Sequence, residues 1–244
     1  MDITMPGAFP AEFREFGLAT RPFFPKCLSD EDLNDPLKRR LHFDWSWQAV
    51  RYRYRLCTEC NEEFKDLWKV ECENQELTYK LERCIYMFFM GGLSVFDSFA
   101  FCLYFLGHAL QPSAFPDVAN PRNITRKTTS RAFNAAFPQA EIAGLLAGLP
   151  DDAGFSIIYE VRNVLAHRLS GRPSVRSAST RHADGTSTTD WHEETWDVPG
   201  APERLTFNEE LLQRHLDGIT RLLTALATAA REFAKSNQLA KAQP

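Results

Sequence analysis

The sequence predicts an all-α fold, an antiparallel bundle of four to five main helices, and three observations lead there. Apolar residues recur at helical spacing over long stretches. Prolines gather between those stretches rather than inside them. Nineteen Phe and 12% aromatic residues supply bulk for a sizeable core in 244 residues. At 44% hydrophobic and 25% charged, the composition is that of a folded globular chain and excludes wholesale disorder. A net charge of −4 and a pI near 5.9 exclude a molecule-wide polycation, so any nucleic-acid contact must rest on a local basic patch.

Residues 1–43 hold Pro6, Pro10, Pro22, Pro25 and Pro36 and read as an irregular N-terminal arm with short helical pieces. The first residues carry Asp2 and no basic stretch ahead of an apolar one, unlike a secretory signal. The expected setting is therefore cytoplasmic, with the six cysteines as free thiols. Cys57-Thr-Glu-Cys60 has half the spacing of a zinc site, and without a second close pair packed thiols are the simpler reading.

The helical domain is expected over 44–236, followed by a tail, 237–244. Its first long helix is expected from Asp44, whose carboxylate suits an N-cap, through Trp47, Val50, Tyr54, Cys57, Phe64 and Trp68 to about Asn74. A central apolar helix follows from about Glu76 to Leu110. Its 84–106 portion is long enough to span a bilayer, but Asp97 near the middle would cost roughly 2.5–3.5 kcal/mol there. The centre of a helical bundle has the same apolar character, so the helix is expected to be buried in protein and no membrane partner is expected. Pro112, Pro116 and Pro121 close that segment. Short helices are expected near 130–136 and 139–148, and another from Ala153 to Leu169 with Asp151 and Asp152 at its positive end. Residues 170–205 form a polar insertion, with Asp184-Gly185 as the turn of a candidate β-hairpin between 175–182 and 186–196. Thr206-Phe-Asn-Glu209 fits a capping box. Behind it Leu212, Leu216, Ile219, Leu223, Leu226 and Phe233 mark a final helix.

The chemistry concentrates in Ile157–Leu169, IIYEVRNVLAHRL. At about 100° per residue, Ile157, Ile158, Val161, Val164 and Leu165 form one apolar stripe. Arg162, Asn163 and His167 fall on the opposite side, with the small Ala166 between them and Tyr159 and Glu160 flanking. An imidazole transfers protons near neutral pH, and a guanidinium grips phosphate oxygens while staying charged. The plain alternative is a solvated helix face with ordinary surface pairs.

Arg162-Asn163-Val-Leu-Ala-His167 resembles the Arg-x4–6-His motif of the HEPN superfamily (higher eukaryotes and prokaryotes nucleotide-binding), whose members often have a polar residue just after the arginine. Leu93-Ser-Val-Phe-Asp97-Ser-Phe-Ala looks like the Leu-Asp helix that precedes the motif in several bacterial members. It departs from that pattern in having Gly92, Leu93 and Ser94 where an arginine often stands. The resemblance spans about 44–170 plus 206–236. It implies a helical bundle that pairs as a homodimer across a shared cleft, and a metal-independent endoribonuclease of toxin–antitoxin, phage-defence or RNA-processing systems. Arg162 would bind phosphate, His167 would transfer protons and Asn163 would orient the site. No metal or organic cofactor is implied, and RNA and an antitoxin or defence-system protein are the expected partners. Other members only bind RNA, nucleotides or proteins, and that non-catalytic role is the alternative.

Further contacts to such a cleft are expected of Asp97, Tyr159, Glu160 and the cluster Arg126, Lys127 and Arg131. Asp97 is either a cleft residue or a buried carboxylate paired with an arginine. In Arg51-Tyr-Arg-Tyr-Arg55 cations and aromatics interleave as on an RNA-tracking surface, yet only Arg51 and Arg55 share a helix face, and Arg55–Glu59 fits a surface pair.

Overall fold

The computed structural model describes residues 9–24, 36–70, 75–116, 120–167, 172–181, 187–197, 205–206 and 208–242. The fold is an all-α bundle. Its helices are α1 (Ala11–Thr20), α2 (Pro36–Trp68), α3 (Gln75–Leu110), α4 (Arg126–Ala136), α5 (Glu141–Gly148), α6 (Ala153–His167) and α7 (Leu211–Ala242).

Helix α3 is the axis of the core. Phe88, Phe89, Phe96, Phe99 and Phe105 are fully buried along it, each contributing about 1.5–3 kcal/mol relative to exposure. It is the one described helix long and apolar enough to cross a bilayer, and 78% of its apolar window is buried inside the protein. Gly91 and Gly92, which dilute the apolar run in the sequence, sit where neighbouring helices approach closely. A Cβ on Gly91 would lie 3.3 Å from Cys57 Sγ on α2, and one on Gly92 would lie 2.9 Å from Ile219 Cδ1 on α7. Tyr54 Oη and Thr220 Oγ1, 2.8 Å apart, and a relay from Asn61 and Lys65 to Gln213 at 2.9 and 2.7 Å, bind α2 to α7.

Several boundaries differ from the sequence expectation. Helix α2 begins at Pro36, not Asp44, because proline fits the first turn of a helix, where its missing N–H is not needed. Asp44 lies inside the helix and accepts from Arg40 Nε at 3.3 Å. The arm contributes α1, whose Phe13 and Phe16 are fully buried, so it belongs to the core. The capping box at Thr206 does not form. Thr206 instead pairs with Thr195 in a short strand, and Asn208 Oδ1 accepts from the Glu210 amide at 3.2 Å ahead of α7. That helix continues through the expected tail to Ala242.

The hairpin is present as β1 (Arg172–Arg181) and β2 (Ser187–Asp197), antiparallel in a three-stranded sheet with β3 (Leu205–Thr206). Arg181 pairs with Ser187, while Asp184-Gly185 lies outside the described residues. Cys57, Cys60, Cys84 and Cys102 are free and buried. Desolvation pushes the Cys60 thiol up to about 11 and Cys84 to about 12, so both stay protonated and act as apolar filler. Cys27 and Cys72 lie outside the described residues. Among the described residues no group of three or more His, Cys, Asp or Glu converges.

Candidate functional site

Helix α6 presents its residues as the periodicity predicts. Phe155, Ile158, Val161 and Val164 are buried, and Ile157 and Leu165 pack at the edge of the core. The helix starts at Asp152, whose Oδ1 accepts from the Phe155 amide at 3.1 Å. Arg221 Nη2 on α7 holds the other carboxylate oxygen at 2.6 Å. Burial alone would raise the Asp152 pKa, but the Arg221 hydrogen bond and the helix amides outweigh it and hold the carboxyl below its ordinary range. This clamp fixes the start of the helix against α7.

Arg162 and Asn163 are half-buried. Arg162 Nη1 donates to Asn163 Oδ1 at 3.1 Å, while its Nε is shut off from solvent and has no hydrogen-bond partner. The side-chain oxygen of Asn163 is therefore directed to the guanidinium rather than to an imidazole. Among the described residues no carboxylate pairs with Arg162. His167 is the last residue of α6, and its side chain lies outside the described residues. Glu160 is half-buried.

Three of the expected cleft residues come together. Arg126, the first residue of α4, donates from Nε to Asp97 Oδ1 on α3 at 2.5 Å. Its guanidinium also lies 4.7 Å from the Phe155 ring and 5.5 Å from the Tyr159 ring, both on α6. Asp97 is not a buried carboxylate: its side chain is 48% exposed and is paired with Arg126. Lys127 and Arg131 are exposed one turn apart on α4, on a face that does not include Arg126. The capping box Thr125–Thr128 sets where α4 starts and hence where Arg126 stands. The expected pair Arg55–Glu59 forms at 2.6 Å on the surface of α2.

Arg53 is the residue that sequence reasoning passed over. It lies between Arg51 and Arg55 but turns to α3, donating to the Ser94 carbonyl at 3.4 Å and to the Ser98 hydroxyl. With His42, Trp45, Asp97, Phe101 and Ile124 it lines an open groove of about 340 Å³. The interleaved Arg-Tyr pattern was the available signal, with Arg53, of the three arginines, set on the other side of the helix. Compared with protein-family models, with curated proteins and with solved structures, the chain matches none.

Proposed function

We propose that the chain is a HEPN-type, metal-independent endoribonuclease acting in the cytoplasm as a homodimer. The observation that carries this reading is the state of Arg162. A half-buried guanidinium with no carboxylate partner among the described residues leaves a positive charge unmatched, which suits a phosphate. Its hydrogen-bond partner, the Asn163 side-chain carbonyl, is neutral and leaves that charge without a counter-ion. Asn163 restrains the guanidinium from one side.

In the proposed reaction the 2′-oxygen of RNA attacks the adjacent phosphorus and the bond from phosphorus to the 5′-oxygen breaks. A base takes the 2′-hydroxyl proton and an acid returns one to the leaving oxygen. The products are a 2′,3′-cyclic phosphate and a 5′-hydroxyl. Arg162 neutralises the phosphorane and His167, one turn later, exchanges protons. One chain supplies one motif histidine for two transfers, and a two-fold dimer would bring the second. An antitoxin or defence-system protein would then restrain the activity in the cell.

The test compares the wild type, Arg162→Ala and His167→Ala on total RNA in EDTA. The expected outcome is cleavage by the wild type, lowered about 10²–10³-fold without Arg162 and about 10²–10⁴-fold without His167. Tight RNA binding by the wild type without cleavage would instead establish a non-catalytic binding module. Cleavage that stops on adding EDTA would rule out the metal-independent mechanism.

A further inference from the structure

Where the first half of α2 faces the middle of α3, the groove described above has a volume, about 340 Å³, within the range of small-molecule sites. Its chemistry is mixed in a specific way. Trp45 stands 59% exposed at its edge. The His42 ring stacks on Phe105 at 5.1 Å between centroids and 19° between planes, which fixes the ring. It meets Trp45 and Phe101 edge-on, each at 6.1 Å. Among these aromatic faces stand one cation and one anion. Arg53 is tied through Nη1 to Ser94 and Ser98, which leaves Nε and Nη2 to a ligand. Asp97 uses Oδ1 for Arg126 and retains Oδ2.

We infer that this groove is a nucleotide subsite for single-stranded RNA. A flat base stacks on Trp45, the neighbouring phosphate meets Arg53, and Asp97 Oδ2 accepts from an exocyclic amine. The rings of His42, Trp45 and Phe101 favour a planar ligand, and because Arg126, outside the lining, already pairs with Asp97, the Arg53 charge is left for an anion. The groove is open, so a chain can enter and leave, which suits a strand rather than a free nucleotide. Double helices are excluded because their bases stay stacked inside the duplex. The inference rests on the reading of α6 as an RNA-cleaving helix and supplies its substrate class. Arg126 links the two places physically, holding Asp97 in the groove and lying against Tyr159, one turn before Arg162.

The experiment measures binding of a fluorescein-labelled, 2′-O-methylated oligoadenylate, which cannot be cut, to the full chain. The wild type is compared with Trp45→Ala, Trp45→Phe and Arg53→Gln, with thermal unfolding of each variant as the check on folding. The subsite predicts a loss of roughly tenfold in affinity for Trp45→Ala and Arg53→Gln, near-full rescue by Trp45→Phe, and quenching of Trp45 emission on binding. Equal affinity of the wild type and Trp45→Ala would overturn it, as would no binding at all or equal affinity for the annealed duplex. Competition by adenosine monophosphate as strong as by the oligonucleotide would assign the groove to a free nucleotide and overturn the strand. The two readings fail separately. Trp45-dependent binding without wild-type cleavage of unmodified RNA sinks the reading of α6 alone, and cleavage with Trp45-independent binding sinks the groove alone.

Discussion

Arg126 carries one charge and serves three elements at once. It pairs with Asp97 on α3, begins α4 and lies over two rings of α6. Its side chain is only 22% exposed while that of Asp97 is 48% exposed, so water screens the pair and the ion pair itself is worth about 0–1 kcal/mol. The ring contacts add about 0.5–1 kcal/mol. Arg126→Ala is therefore expected to lower the unfolding free energy by only about 0.5–2 kcal/mol in urea titrations, with the fold retained. A larger loss would mean that the pair organises the bundle rather than its surface. That Asp97 pairs with an arginine was one of two readings the sequence offered, but not which arginine, because Asp97 and Arg126 are 29 residues apart and joined by a proline-rich connection. Arg162 and Asn163 were legible, because one helical period places them relative to the apolar stripe of α6.

Elements were read well in their interiors and poorly at their ends. The apolar periodicities of α3, α6 and α7 locate those helices, since burial of one stripe decides them. Ends depend on single hydrogen bonds, and the sequence offers competing donors and acceptors for each. Asp44 has the chemistry of a cap, but Pro36 starts the helix and Arg40 takes the carboxylate. Thr206 and Glu209 have the spacing of a capping box, but strand pairing with Thr195 takes the threonine. Asp152 is the terminus read correctly, and it also bears a test. Asp152→Ala removes the acceptor of the Phe155 amide and the partner of Arg221, and is expected to cost about 1–2 kcal/mol. Because the folded state holds this carboxyl below its ordinary range, its contribution is complete above the unfolded pKa, about 4, and is lost as pH falls through the folded value. The wild type and Asp152→Ala should thus differ in stability at neutral pH and converge in acid, as urea titrations at both would record.

The described core is held by aromatic bulk around α3 rather than by charge, and this makes one half-buried histidine its acid-sensitive point. His215 on α7 packs edge-on against Phe89 of α3, 5.2 Å between ring centroids. Desolvation, with help from the neighbouring Arg214 charge, pushes its pKa down to about 4. A histidine held neutral binds fewer protons folded than unfolded, so the stability it permits is complete above about pH 6.5. It then erodes by about 1.4 kcal/mol per pH unit as pH falls from 6.5 to 4. Ring-for-ring replacement separates this effect from the carboxylates, which protonate below about pH 5 in both proteins. His215→Phe keeps the contact with Phe89 and removes the ionisable group. Its unfolding free energy should match the wild type within about 1.5 kcal/mol at neutral pH and exceed it by about 2–3 kcal/mol near pH 4.5. Parallel pH profiles for the two proteins would place the imidazole in water rather than against α3. That would loosen the α3–α7 contact on which the Arg221 clamp, and with it the setting of α6, depends.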